Sequence, residues 1–264
     1  MFKKIVLASG LLLAAGCTTV PITGRRQLSL VSDSEMNTLA VTQYKQTLGT
    51  AKLSTNAEQT AMVRRVGQRI SAAVQQYFKQ QGQSSQLEGY QWEFNLIDDP
   101  KTVNAWCMPG GKVAVYTGIL PLTQDETGLA VVMGHEISHA VAKHGAERMS
   151  DQAALQLGGV ALATAFSQNP TATGSLFNTV VGAGEQGAIL AFSRRQESEA
   201  DHLGLIFMAM AGYNPTAAVP FWERMAAQSQ NNTPIFLSDH PADATRIADI
   251  QRLLPEAQKY YKPR

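Results

Sequence analysis

The sequence is short of charge, of cysteine and of long apolar runs. Only 16% of its 264 residues are Asp, Glu, Lys or Arg, and 22 basic residues nearly cancel 21 acidic ones to leave a net charge of +1. A disordered chain keeps itself solvated with charge, and a nucleic-acid binder needs a basic excess to track phosphates. Neither feature is present, so no nucleic acid is expected as a partner. Two cysteines cannot form a disulfide scaffold. The N-terminal apolar run, Ile5 to Ala15, is too short to cross a bilayer stably. What remains is a chain with 44% hydrophobic residues, enough to bury a substantial core.

That N-terminal run has the make-up of an export signal. Lys3 and Lys4 precede it, small residues end it, and Leu13-Ala14-Ala15-Gly16-Cys17 resembles a bacterial lipobox. On this reading residues 1–16 are removed and Cys17 becomes the acylated first residue. Residues 17–34, with Pro21, Gly24 and several Ser and Thr, then form a tether, and 35–264 form one domain. Thr18, rather than Asp, favours the outer membrane in Gram-negative habit, which places the domain in the periplasm on a lipid anchor. Cys107 is left alone and is expected as a buried, inert thiol.

The periods along the chain alternate between helix and strand. Met36, Ala40, Tyr44 and Leu48 recur at helical spacing, and a longer helix is predicted over 57–80, with Met62, Val66, Ile70, Val74 and Tyr77 on its core stripe. Trp92, Phe94 and Leu96 alternate as in a strand, and Val103–Met108 and Lys112–Thr117 read as two more around Pro109-Gly110-Gly111. Thr123 followed by Glu126 reads as a capping box opening a helix. Two apolar stretches, 153–166 and 176–192, read as buried or interfacial helices. Another helix is predicted from about 195 to 211, stopped by Gly212, and a last one after Pro241 ending near Leu254-Pro255.

The chemistry is concentrated in His135-Glu136-Ile137-Ser138-His139. Residues four apart lie one above the other on a helix, so His135 and His139 can aim two imidazole nitrogens at one Zn2+ ion. Glu136 lies about 100° round the helix and can take a proton from a water without itself binding the metal. A catalytic zinc takes three protein ligands and keeps one position open. The candidates for the third are Glu197, Glu199, Asp201, His144, His202 and His240. Glu197 and Asp201 again share one helical face, which lets Glu197 bind the metal while Asp201 holds the outer nitrogen of a ligand histidine. Glu199 lies about 200° away from Glu197 and should face elsewhere. His144 and His202 read as structural.

Taken together, these motifs resemble the M48 family of zinc metallopeptidases, which joins H-E-x-x-H to a later E-x-x-x-D. The resemblance runs from Asn104-Ala105-Trp106 with Pro109-Gly110-Gly111, through Tyr116-Thr117-Gly118 and Ser193–Asp201, to His240-Pro241 and Arg246. Within the family the chain looks most like the small periplasmic lipoprotein peptidases and the OMA1-like group. The resemblance implies an α+β, mainly helical zincin-type domain with a small sheet beside the active-site helix. It assigns His135, His139 and Glu197 to one zinc per chain, and Glu136 to general base and then general acid. It places His240 near the metal, either stabilising an oxyanion or filling the open position at rest. It gives Arg246 the task of fastening Glu or Asp beside the site. It also implies that Asn104, Ala105 and Trp106 lie on an edge strand that pairs with an extended substrate.

The function expected is a zinc metalloendopeptidase that cleaves misfolded or unassembled envelope proteins. Its partners would be protein or peptide substrates, outer-membrane proteins and their assembly machinery among them. The alternative is an assembly chaperone or adaptor lipoprotein with a latent protease site.

Overall fold

The computed structural model describes residues 17–20, 23–157, 170–180, 192–228, 234–241 and 244–263. The signal segment 1–16, and the parts of the two apolar stretches at 158–169 and 181–191, lie outside the described residues. Among the described residues no helix is long and apolar enough to cross a membrane.

The described residues open with strands β1 (Cys17–Thr19) and β2 (Arg26–Leu28), paired antiparallel with Cys17 opposite Leu28. This segment departs from the expected tether. Val20 is fully buried, the Gln27 amide donates to the Ala142 carbonyl at 2.8 Å, and Arg25 forms ion pairs with Glu147 and Glu199. The polar composition that suggested a loose linker instead supplies partners for buried carboxylates.

Helix α1 (Asp33–Thr50) is capped by Ser32, whose hydroxyl accepts from the Glu35 N–H, and buries Met36, Ala40 and Tyr44. Helix α2 (Ala57–Gln80) is capped by Asn56. Its stripe of Val63, Val66, Ile70, Val74 and Tyr77 is buried, and Met62 packs at the margin. Strands β3 (Glu93–Ile97), β4 (Ala105–Met108) and β5 (Lys112–Tyr116) form a sheet in the order β3-β5-β4, parallel between β3 and β5 and antiparallel between β5 and β4. Phe94 lies against Gly67 of α2, where a Cβ would stand 2.2 Å from its ring. β4 is an edge strand. The predicted strands are present, each shortened by a residue or two at its ends.

A short helix α3 (Leu120–Thr123) precedes the central helix α4 (Glu126–Val141). The expected capping box from Thr123 to Glu126 does not form. The chain turns through Gln124 at φ +67°, so the cap moves to Asp125, whose carboxylate accepts from the Gly128 N–H at 2.8 Å. Thr123 instead donates to the Leu120 carbonyl, and Glu126 faces outward to Arg65 and Tyr213. Helices α5 (His144–Leu157) and α6 (Pro170–Val180) follow. Helix α7 (Arg194–Met210) begins with a reciprocal capping box between Ser193 and Gln196, and the chain leaves it through Gly212 at φ +86°. Helices α8 (Ala218–Gln228), α9 (Ile235–Asp239) and α10 (Ala244–Gln258) complete the fold. α10 does not stop at Pro255. The bond that the proline removes is to the exposed Gln251, whose carbonyl water can satisfy, and Ala257 is buried beyond it.

The described architecture is mainly helical with two small sheets, in keeping with a zincin-like domain. Its centre is the crossing of α4 and α7. Gly134 and Gly204 meet there: a Cβ built on Gly204 would lie 3.0 Å from the Gly134 carbonyl carbon and from the His135 nitrogen. Two helix backbones therefore touch without an intervening side chain. Replacing Gly204 by Ala should force them apart and destabilise the protein by about 1–3 kcal/mol, and Gly204→Val should do so more strongly. Thermal unfolding of the two variants beside wild type measures this; an unchanged Tm in both would contradict the tight crossing.

Candidate metal centre

The crossing brings two polar faces together in the interior. α4 contributes His135, Glu136 and His139, and α7 contributes Glu197 and Asp201; all five are buried. His240, just beyond α9, is held by its N–H to the Phe236 carbonyl at 2.9 Å and turns its ring into the same space. One ligand atom from each of His135, His139, Glu197 and His240 falls within a 4.8 Å cluster. His135 Nε2 is 3.0 Å from His139 Nε2 and 3.1 Å from His240 Nδ1. The Glu197 carboxylate reaches His139 Nε2 at 3.2 Å, His240 Nδ1 at 2.8 Å and His135 Nε2 at 3.5 Å.

This donor set suits a divalent cation. Asp201 Oδ1 lies 2.9 Å from His135 Nδ1, which puts the ring proton on that nitrogen and leaves Nε2 as a bare lone pair. That lone pair faces two other imidazole nitrogens and the Glu197 carboxylate, so ligand atoms converge on one point. Burial works to lower the His135 pKa, yet Glu197 and Asp201 together raise it above its ordinary value. The cluster thus draws positive charge to the point where the nitrogens converge. Burial pushes the His139 pKa well below its ordinary value, which favours the neutral ring that a metal site requires. Three nitrogens and a carboxylate oxygen match the ligand preferences of zinc.

The carboxylates are held ionised from behind. Arg246 donates through Nε and Nη2 to the two Asp201 oxygens, both at 2.8 Å, and its Nη1 lies 2.8 Å from Glu197 Oε2. Its guanidinium also donates to the Pro241 carbonyl at 3.1 Å and stacks over the Trp222 ring at 3.5 Å. Burial alone would raise both carboxyl pKa values. Arg246 and His135 outweigh it at Asp201, and His240 and His135 outweigh it at Glu197, which sits well below the usual range.

Glu136 lies beside the cluster, with its Oε1 3.4 Å from His240 Nε2. Asn104 precedes β4, and its carbonyl accepts from the Tyr116 N–H at 3.1 Å. That bond sets the antiparallel alternation, so Ala105 and Cys107 turn their backbone polar groups away from β5. The Ala105 N–H is held by the Asn104 side-chain oxygen at 2.8 Å. The Trp106 indole packs edge-on against Tyr44 of α1, not toward the histidines. Cys107 is part-buried and burial pushes its thiol pKa well up, in keeping with an inert group.

Three features escape a sequence reading. The first is the glycine pair that lets the helices touch, since two isolated glycines in separate helices carry no sign that they meet. The second is an aromatic wall of Phe192, Trp222 and Phe236 against the histidine rings, with Phe192 3.8 Å from His139 between centroids. The third is a second layer behind His139. Its Nδ1 lies 2.9 Å from His144 Nδ1, and His144 Nε2 lies 3.3 Å from Glu199 Oε2. Glu199 does face away from Glu197, and it does so to meet His144. His202 is remote from the cluster and pairs with Glu256 at 2.9 Å.

Comparison with known proteins places this geometry. The model for Peptidase family M48 matches residues 68–254. Mitochondrial metalloendopeptidase OMA1 of Schizosaccharomyces pombe is 35% identical over 263 residues, spanning 98% of this chain and 72% of that protein. Mitochondrial metalloendopeptidase OMA1 of Homo sapiens is 29% identical over 246 residues, 90% of this chain and 46% of the relative. The beta-barrel assembly-enhancing protease of Escherichia coli is 33% identical over 171 residues, 61% of this chain and 34% of the relative. The chain thus spans less than half the length of the latter two. With the family model covering most of the chain, and the metal-ready cluster at its centre, the chain belongs to peptidase family M48 and is a metalloendopeptidase.

Proposed function

We propose that the metal is one zinc ion, held by His135, His139 and Glu197, and that the enzyme cleaves unassembled or misfolded envelope proteins from a lipid anchor at Cys17. The observation that carries the catalytic part is the convergence of these ligand atoms, with Glu136 alongside them on α4. Zinc, when bound, supplies Lewis acidity to an attacking water and to the scissile carbonyl. Glu136 accepts the proton of that water and returns it to the departing amine. Asp201 keeps His135 in the tautomer that offers Nε2, and Arg246 keeps Asp201 and Glu197 charged. The His240 ring, with Nδ1 inside the ligand cluster, would either fill the position left open on a bound metal at rest or stabilise the developing oxyanion during the reaction.

An extended substrate would lie along the Asn104–Trp106 segment of this edge and pair with the outward main-chain groups of Ala105, through its carbonyl, and of Cys107, since Asn104 and Trp106 turn their own polar groups to β5. Because the Trp106 indole packs on α1, the main chain of this edge, and not that side chain, does the reading. A backbone-reading edge favours chain segments that are locally unfolded, which is the support for a quality-control substrate. The lipobox-like run ending at Cys17 supports a periplasmic enzyme anchored in the outer membrane, and the name of the E. coli relative supports outer-membrane proteins as clients.

Glu136→Gln should keep stoichiometric zinc and lose cleavage of an unfolded protein such as casein by at least about 100-fold. Full activity would reject the assigned base, and a deletion phenotype rescued by this variant would point to the chaperone role instead. In parallel, Glu197→Ala should lose stoichiometric zinc, measured by metal analysis after gel filtration. Retained zinc would move the third ligand elsewhere.

A further inference from the structure

The two ligand histidines are backed in different ways. His135 is held in one step: its Nδ1 meets Asp201, and Asp201 is gripped by Arg246. Among the described residues no carboxylate touches the Nδ1 of His139; that nitrogen meets another imidazole, His144 Nδ1, at 2.9 Å. For His139 to offer Nε2 to a metal, its Nδ1 must carry the proton and donate it. His144 must then accept through a bare Nδ1 and carry its own proton on Nε2. A neutral imidazole left to itself has no strong reason to choose that form. What fixes it is the carboxylate at the other end of the ring: Glu199 Oε2, 3.3 Å from His144 Nε2, accepts and does not donate.

Glu199 is in turn fixed by the N-terminal hairpin. Thr23 donates to its Oε1 at 2.8 Å, and Arg25 Nε lies 2.8 and 2.9 Å from its two oxygens. The rest of the Arg25 guanidinium forks onto Glu147, with Nη2 at 2.8 Å, and Glu147 is steadied by the Gln196 amide at 2.7 Å. Both arms behind the metal therefore end on an arginine. One, Arg246, comes from α10; the other, Arg25, lies between β1 and β2, far outside the segment that the family model matches.

We propose that Arg25 is a positioning residue of the metal centre, acting on His139 through Glu199 and His144, so that docking of the N-terminal hairpin sets the strength with which the metal is held. This rests on the metal ligands assigned above. A guanidinium does this better than an ammonium because its fork engages Glu199 and Glu147 at once. The hairpin begins at Cys17, so the segment that would carry a lipid is also the one that locks this ligand.

The test uses the full chain loaded with zinc. Zinc affinity is measured by competition with a chromophoric chelator, and imidazole protonation by 15N-detected NMR of the histidine rings. Arg25→Gln should weaken zinc by about 10–100-fold, in the range of other outer partners of metal ligands. It should also move the His144 ring signals from the pure Nε2–H form toward a mixture. Arg25→Lys should recover part of the affinity, and this variant keeps the test open if Arg25→Gln folds poorly. Arg25→Gln added to His144→Phe should cost little beyond His144→Phe alone, because both cut one chain of contacts. A lower Tm for Arg25→Gln with wild-type zinc affinity and unchanged His144 signals would overturn the proposal and leave Arg25 with a merely structural role. That result differs from a wild type without stoichiometric zinc, which would remove the metal assignment together with this inference.

Discussion

The structure depends on a negative charge placed in the protein interior, between the two helices that cross at its centre. Desolvating a carboxylate costs several kcal/mol unless positive or proton-donating groups meet it. Glu197 is met on one side by the imidazoles of His135, His139 and His240 and on the other by Arg246. The charges then alternate outward. Asp201 lies behind His135 with Arg246 behind it, and Glu199 lies behind His144 with Arg25 behind it. A buried network of this kind is stabilising only when every member is matched. This one draws its members from the N-terminal hairpin, the central helices and α10, and ends in an arginine on either side.

Much of this was legible in the sequence, and the reason is local geometry. His135 and His139, like Glu197 and Asp201, share a helix face because four residues make slightly more than one turn. The stripe on α2 and the alternation in β3 are likewise properties of a short window. What could not be read depends on partners distant in the chain. Thr123 and Glu126 have the spacing of a capping box, yet a left-handed Gln124 moves the cap to Asp125. Residues 17–34 have the composition of a linker, yet Arg25 finds two carboxylates contributed by α5 and α7. His144 looks like an incidental core histidine because nothing nearby in the sequence announces Glu199.

The relation to the family follows the same division. The matched segment, residues 68–254, contains the H-E-x-x-H and E-x-x-x-D motifs, the edge strand, His240 and Arg246. The hairpin lies before it, although the S. pombe relative aligns over nearly the whole chain. A boundary drawn around the recognisable motifs therefore cuts through the network of contacts that orients one of the ligands.

The glycine contact between α4 and α7 bears on how an ion would be captured. No rotamer lies between the two backbones at Gly134 and Gly204, so the separation of the paired imidazoles from the facing carboxylate is set by main-chain atoms. The freedom that the donors would otherwise lose on coordination is already gone once the helices have crossed. Capture then demands little ordering of the protein, and its entropy is governed mainly by the water that the ion sheds.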